Sequence, residues 1–209
     1  MNMNSIYGKK IGMTRIFTPA GDSIGVTAIE VEPMTVVSLK TDEKDGYNAA
    51  VVSFGGIRPK LVKKPVKGQY DKAGAEVKRY LKELPIDEGA APEKGAKIGV
   101  DMFKPGEIVH ISGISRGLGF QGGVKRHHFK GGPKTHGQSD RQRAPGSVGA
   151  SSYPSRTFKG QRMAGHMGNT GVTVKNIKVV GVEAEQNLLL VDGPVPGHKN
   201  SVVYVRKAR

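Results

Sequence analysis

The sequence predicts a mainly β protein: a small barrel or sandwich made from both ends of the chain, a few short helices, and one long basic excursion between. Three observations predict it. Short β-rich runs recur from the start to about Ser112 and again after Gly171. Turn formers separate those runs at close intervals. Between them, Gly113–Gly171 holds ten Lys/Arg, four His, fourteen Gly and one acid, Asp140, with almost no hydrophobic period from which to build a core.

The elements follow in order. Ile29 and Val31 alternate with Glu30 and Glu32, the pattern of a half-buried strand. "TVVSLK" (Thr35–Lys40) and "YNAAVVSF" (Tyr47–Phe54) are β-rich, and "TPAGD" and "DEKDG" are the turns around them. Arg58–Lys67 is basic and broken by proline, and is expected to be a loop. "YDKAGAEVKRYLKELP" (Tyr70–Pro85) favours helix after Asp71, yet Gly74 and the alternation near Tyr80 also fit a turn followed by a strand. "EIVHIS" (Glu107–Ser112) is the last strand before the composition changes. "FQGGVKRHH" fits one short helical turn inside the basic segment. "GVTVKNIKVVGVEAEQNLLLVDG" and "SVVYVRKAR" return to strand character. No internal repeat is found.

The 209 residues suit one or two domains. The formal charge is +15, of which about +9 falls on the 59 residues of Gly113–Gly171 and +6 on the other 150. Charge so concentrated attracts polyanions, nucleic acid first among them. No run approaches the ~20 apolar residues of a membrane span, and Lys9 and Lys10 come too early for a secretory leader. The absence of cysteine excludes disulfides, thiolate zinc sites and cysteine nucleophiles, and suits a reducing cytoplasm. Aromatics are few, so base-stacking platforms are expected to be sparse.

Three motifs offer chemistry. "RGLGFQG" carries GxGxxG at Gly117, Gly119 and Gly122, but a dinucleotide fold needs a longer helix and a second strand ending in an acid. His127, His128, His136 and His166 resemble a zinc set, yet only Asp140 is available to orient an imidazole and dense positive charge opposes a cation. No GxSxG and no acidic pair supports hydrolysis or phosphoryl chemistry. The chain is therefore not expected to be an enzyme, nor to hold a metal, a cofactor or a small-molecule substrate. The cations are the stronger signal. Arg116, Lys125, Arg126, Lys130, Lys134, Arg141, Arg143, Arg156, Lys159 and Arg162 fall at irregular spacing among Gly, Ser, Thr and Pro, which suits phosphates arriving from several sides of a folded RNA. The four histidines are expected to donate to phosphates or stack on bases. Lys9, Lys10 and the Lys60–Lys67 run are candidate contacts on the body. A forty-residue excursion with two extended legs reaches roughly 60 Å at about 3.3 Å per residue.

At these residues the sequence resembles the bacterial ribosomal protein L-three family, the third protein of the large ribosomal subunit. The resemblance runs through "GKKIGMTRIFTPAGDSIGVTAIEVEP", "HISGISRGLGFQGGVKRHHF", "THGQSDRQRAPGSVG", "FKGQRMAGHMGN" and "NLLLVDGPVPG". It implies a six-stranded type of β-barrel similar to those of translation factors, formed by residues 1–123 and 166–209 with a peripheral segment inserted at about 55–100. It implies an extended arm over 124–165 that penetrates RNA towards the peptidyl transferase centre. The expected partners are large-subunit rRNA and neighbouring large-subunit proteins, with a role in early assembly, in the cytoplasm. It also tilts "YLKELP" towards strand. A free-standing RNA chaperone or nucleic-acid-compacting protein is the alternative. Four positions depart from the family pattern: His110 stands where Asp or Asn is usual, Leu118 where a basic residue is, and Gly25 where Pro is common. Ala150 stands where some members carry a methylated glutamine.

Overall fold

Successive side chains of a strand point to opposite faces, and the first strand, β1 (Ser5–Phe17), shows it: Ile6 and Gly8 are buried and Lys9 is exposed. The computed structural model describes residues 4–86 and 92–208. After β1 come β2 (Ser23–Glu30), β3 (Met34–Lys40), the single turn α1 (Asp42–Asp45), β4 (Ala49–Phe54), α2 (Lys64–Ala73), β5 (Tyr80–Pro85) and β6 (Lys97–Ile98). Then follow β7 (Ile108–Ile114), β8 (Gly119–Gln121), α3 (Gly123–His127), β9 (Gly165–Met167), β10 (Gly171–Glu183), β11 (Leu188–Asp192) and β12 (Val202–Lys207). The protein is mainly β. It divides into two compact units, Met1–Ile114 with Gly171–Arg209 (here the body) and Ser115–Thr170.

In the body, six strands are hydrogen-bonded in the order β1-β12-β7-β10-β11-β2, and β2 pairs back onto β1, so the sheet closes on itself. Every neighbouring pair is antiparallel. Closure leaves no edge open to another chain. The bending it requires is concentrated at register breaks between Lys10 and Gly12, Val174 and Ile177, and Val179 and Gly181. The alternating residues of the strands fill the inside: Ile6, Ile29, Val109, Ile111, Leu189 and Val205 are fully buried.

A second sheet, ordered β5-β4-β3-β6, belongs to the same body. Its β4, apolar except for Ser53, is buried at all six positions, as a strand should be when both faces are covered. Met34, Val52 and Leu84 of this sheet join the barrel residues in one hydrophobic core. At its rim, Lys40 lies 3.0 Å from Glu83 and Tyr47 donates its hydroxyl to the same carboxylate at 2.8 Å.

The expected loop at Arg58–Lys67 is instead a 3-10 turn (Pro59–Leu61) followed by the start of α2. Pro65 does not break the chain there. It sits at the first positions of the helix, where a missing N–H leaves no hydrogen bond unmade. Tyr70 anchors α2, fully buried, with its hydroxyl donating to the Lys78 carbonyl at 3.2 Å. Gly74 ends the helix at φ 62. The chain then turns and enters β5, which settles the ambiguous stretch in favour of a turn and a strand.

β7 is the pivot of the closed sheet, pairing with both β12 and β10. Just before it, Glu107 accepts from the Lys104 backbone N–H and from the Lys207 ammonium, both at 3.1 Å. Burial pushes the Glu107 carboxyl up, but those hydrogen bonds and the two lysine charges outweigh it and hold the carboxyl below its ordinary value. A depressed folded pKa means that the stabilisation is present above the unfolded pKa and is lost as pH falls through the folded one. Glu107→Gln should therefore lose less stability than the wild type between about pH 5 and pH 3, as read by urea titration at each pH. A second prediction concerns Gly8. A methyl there would meet Ile29 Cγ2 at 2.5 Å and the Glu30 carbonyl oxygen at 3.0 Å inside the closed sheet. Gly8→Ala should cost about 1–3 kcal/mol of unfolding free energy by overpacking, measured by denaturant midpoint at unchanged slope.

Candidate nucleic-acid interface

No residue of Ser115–Thr170 is among the buried hydrophobics. Backbone hydrogen bonds order this unit instead. Ser115 N–H donates to the Thr170 carbonyl at 2.8 Å, Asn169 N–H to Ser115 at 3.2 Å, and Leu118 N–H to Met167 at 3.0 Å. The short strands β8 and β9 continue the ladder, pairing Gly119 with Met167, Phe120 with His166 and Gln121 with Gly165. Gly168, at φ 76, permits this approach: a Cβ there would collide with the Arg116 carbonyl. The GxGxxG glycines thus build a two-stranded ribbon and the five-residue α3, not the long helix that a dinucleotide site requires.

The predicted site residues behave in two ways. Arg126 and His127 turn inward onto one acceptor, the Met163 carbonyl. Arg126 Nη1 donates to it at 2.7 Å and His127 Nε2 lies 3.0 Å from it. The guanidinium crosses above Gly165, where any Cβ would strike it. These two residues tie the outgoing leg of the unit to the returning one. Farther along, Gly132 N–H donates to the Gln142 carbonyl at 2.9 Å. By contrast Arg116, Lys125, His128, Lys130, Lys134, His136, Arg141, Arg143, Arg156, Lys159, Arg162 and His166 are exposed. Three of them, Lys130, Arg141 and Arg162, line one concavity of about 510 Å³ together with Phe129 and Ser147. Among the described residues the four ion pairs all lie in the body, so the ten cations of this unit meet no carboxylate. No three His, Asp or Glu side chains among the described residues converge as a metal site. No helix among them is long and apolar enough to cross a membrane.

On the body, Lys9 and Lys10 part company. Lys9 is exposed, 3.6 Å from Glu30. Lys10 shares the parity of Ile6 and Gly8, and its ammonium donates to the carbonyls of Val195 at 2.6 Å and Gly197 at 3.1 Å. Its charge holds a loop of the body. The residues that the sequence reading passed over are aromatic: Phe120, Tyr153 and Phe158 are 76, 88 and 61 % exposed. Their signal was present in the sequence, as rings in a segment with no core to enter.

The family model for ribosomal protein L3 matches residues 89–187. "Large ribosomal subunit protein uL3" of Herpetosiphon aurantiacus is 49% identical over 206 residues, 99% of this chain and 97% of the relative. The protein of that name from Dehalococcoides mccartyi is 49% identical over 205 residues, 98% of each chain. That of Brachyspira pilosicoli is 45% identical over 206 residues, 99% of this chain and 94% of the relative. The chain belongs to the ribosomal protein L3 family. It is accordingly a structural protein and not an enzyme.

His110 Nδ1 accepts the backbone N–H of Asn176 at 3.1 Å, and Asn176 sits at φ 58 inside the Val174–Ile177 register break. The imidazole thus serves as the acceptor that secures the bulge, the task for which a short Asp or Asn oxygen is also suited. Leu118 is half-buried, held through its backbone by Met167. Ala150 is exposed. The inward role of Lys10 gives a test: Lys10→Met keeps the length of the side chain and removes the donor, leaving two carbonyls short of a charged partner. It should lower body stability by about 1.5–3 kcal/mol, measured by denaturant titration.

Proposed function

We propose that this chain is an rRNA-binding structural component of the large ribosomal subunit. In this reading the closed sheet of the body is the counterpart of a translation-factor barrel. Residues 124–165 are an arm that enters folded rRNA towards the peptidyl transferase centre, and binding takes place early in subunit assembly. The single observation that carries it is the charge of Ser115–Thr170: ten cations and one acid, the four ion pairs among the described residues all lying outside it, and almost every basic side chain exposed. Uncompensated surface charge at that density is the electrostatic footprint of a polyanion site. The relatives' name, large ribosomal subunit protein, supports large-subunit rRNA as that polyanion and ribosomal proteins as neighbours. The compartment is that of the ribosome, the cytoplasm.

Two measurements test the reading. Affinity of the purified chain for transcribed large-subunit rRNA should fall about 10³–10⁵-fold between 50 and 200 mM salt if six to ten phosphates are contacted. A salt-independent affinity would refute it. Deleting Lys125–Arg162 removes no core residue, so the body should remain folded by circular dichroism while rRNA affinity and incorporation into the large subunit on a sucrose gradient collapse. Full-length chain that stays at the top of the gradient would support a free-standing chaperone instead.

A further inference from the structure

The ribbon of the second unit carries an arrangement that the charge reading does not use. Phe120 of β8 and His166 of β9 are direct cross-strand partners. Partners in an antiparallel pair share a face, with Cβ atoms about 4.5–5.5 Å apart. Both side chains are exposed, Phe120 at 76 %. The residues beside them in the strands, Gly119, Gln121, Gly165 and Met167, belong to the opposite face of the ribbon. The hydrophobic core lies in the body and includes neither residue. An exposed phenyl on a unit without an interior of its own gains nothing from folding. It is available to an external partner.

We propose that Phe120 and His166 form a stacking platform for an unpaired base of the bound RNA. This rests on the RNA-binding reading above and adds a base contact to it. The occupant follows from the surroundings. The unit bears ten cations to one acid, which attracts a polyanion and repels a basic protein surface. Arg116 and Lys125, both exposed, lie in the chain on either side of β8 and serve the phosphates of the same nucleotide strand. Two exposed rings at opposite positions of a two-stranded ribbon offer π-faces on which a base can stack. Stacking is sequence-tolerant, so the ring pair fixes the position of a base rather than reading which base it is.

The test uses the full-length chain, transcribed large-subunit rRNA and dimethyl sulfate footprinting. Phe120→Ala should weaken binding roughly 5- to 150-fold, with an unchanged slope of log affinity against log salt. Phe120→Tyr should bind as the wild type does. A base protected by the wild type should become reactive with Phe120→Ala, and the same base with His166→Ala, which guards against a folding defect in either variant. Lys134→Ala is the control for phosphate contacts: it should reduce the salt slope by about one unit without exposing that base. If the wild type binds with a steep salt slope but Phe120→Ala and His166→Ala bind equally well and expose no base, the platform is overturned and the RNA reading stands. If Phe120→Ala keeps its RNA affinity but loses a protein neighbour from the assembled subunit, the ring is a protein contact and the platform is again overturned. If the wild type itself shows no salt-dependent RNA affinity, both readings fall together.

Discussion

The hydrogen-bonded register between β7 and β10 is the constraint on which the two-unit organisation depends. Ile114 and Gly171 are cross-strand partners, so the polypeptide leaves and re-enters the body at one place. The inserted segment therefore meets its closure condition through contacts that the body makes in any case. Beyond the first few residues the entropic cost of a closed loop grows only as the logarithm of its length. A fifty-six-residue excursion is thus tolerable in a body whose core takes nothing from it. The ladder from Ser115 to Thr170 and on through β8 and β9 extends the pinning into the second unit. His110 serves the same register from the other side, since its imidazole accepts from Asn176 at the bulge where β10 breaks step with β7.

With the ends held, the two units use charge in opposite ways. The body turns its charges on itself. Lys10 caps two carbonyls, Lys207 clamps Glu107, and Lys40 shares Glu83 with Tyr47. The second unit has one acid and cannot do this. Like charges on a unit with no apolar interior oppose compaction, and its internal ties are backbone carbonyls that accept from Gly132, Arg126 and Leu118. Such ties fix the path of the chain without neutralising it. The field is left for an external partner; in the proposed complex, phosphates relieve the repulsion on binding.

Much of the body was legible because its strands obey a two-residue period. The runs around Ile29, Val36, Val52, Ile111 and Val205 all fall on strands. The start of α2 was not legible because Pro65 was read as a break, although the same residue is favourable at a first helical turn. β8 and β9 were hidden for another reason: three-residue strands rich in glycine have no period to detect, and their pairing joins residues more than forty positions apart. The cationic residues were found by counting, but counting could not separate Lys9 from Lys10. The parity of β1 could. Ile6, Gly8 and Lys10 share one face of the strand, and Lys9 lies on the other and is exposed.

The histidines show why adjacency in sequence is a poor guide in a segment without a core. His127 and His128 are neighbours, yet one is drawn onto the Met163 carbonyl and the other caps α3 at φ 60 and faces solvent. They cannot act as a pair. His166 stands far from Phe120 in the chain and directly opposite it in the ribbon. What joins them is the antiparallel ladder, which in turn requires Gly168 to let the strands approach at Arg116. The glycines of this unit therefore do more than bend a basic strand. They bring two exposed rings to directly opposite positions on the ribbon, the placement that the proposed base contact requires.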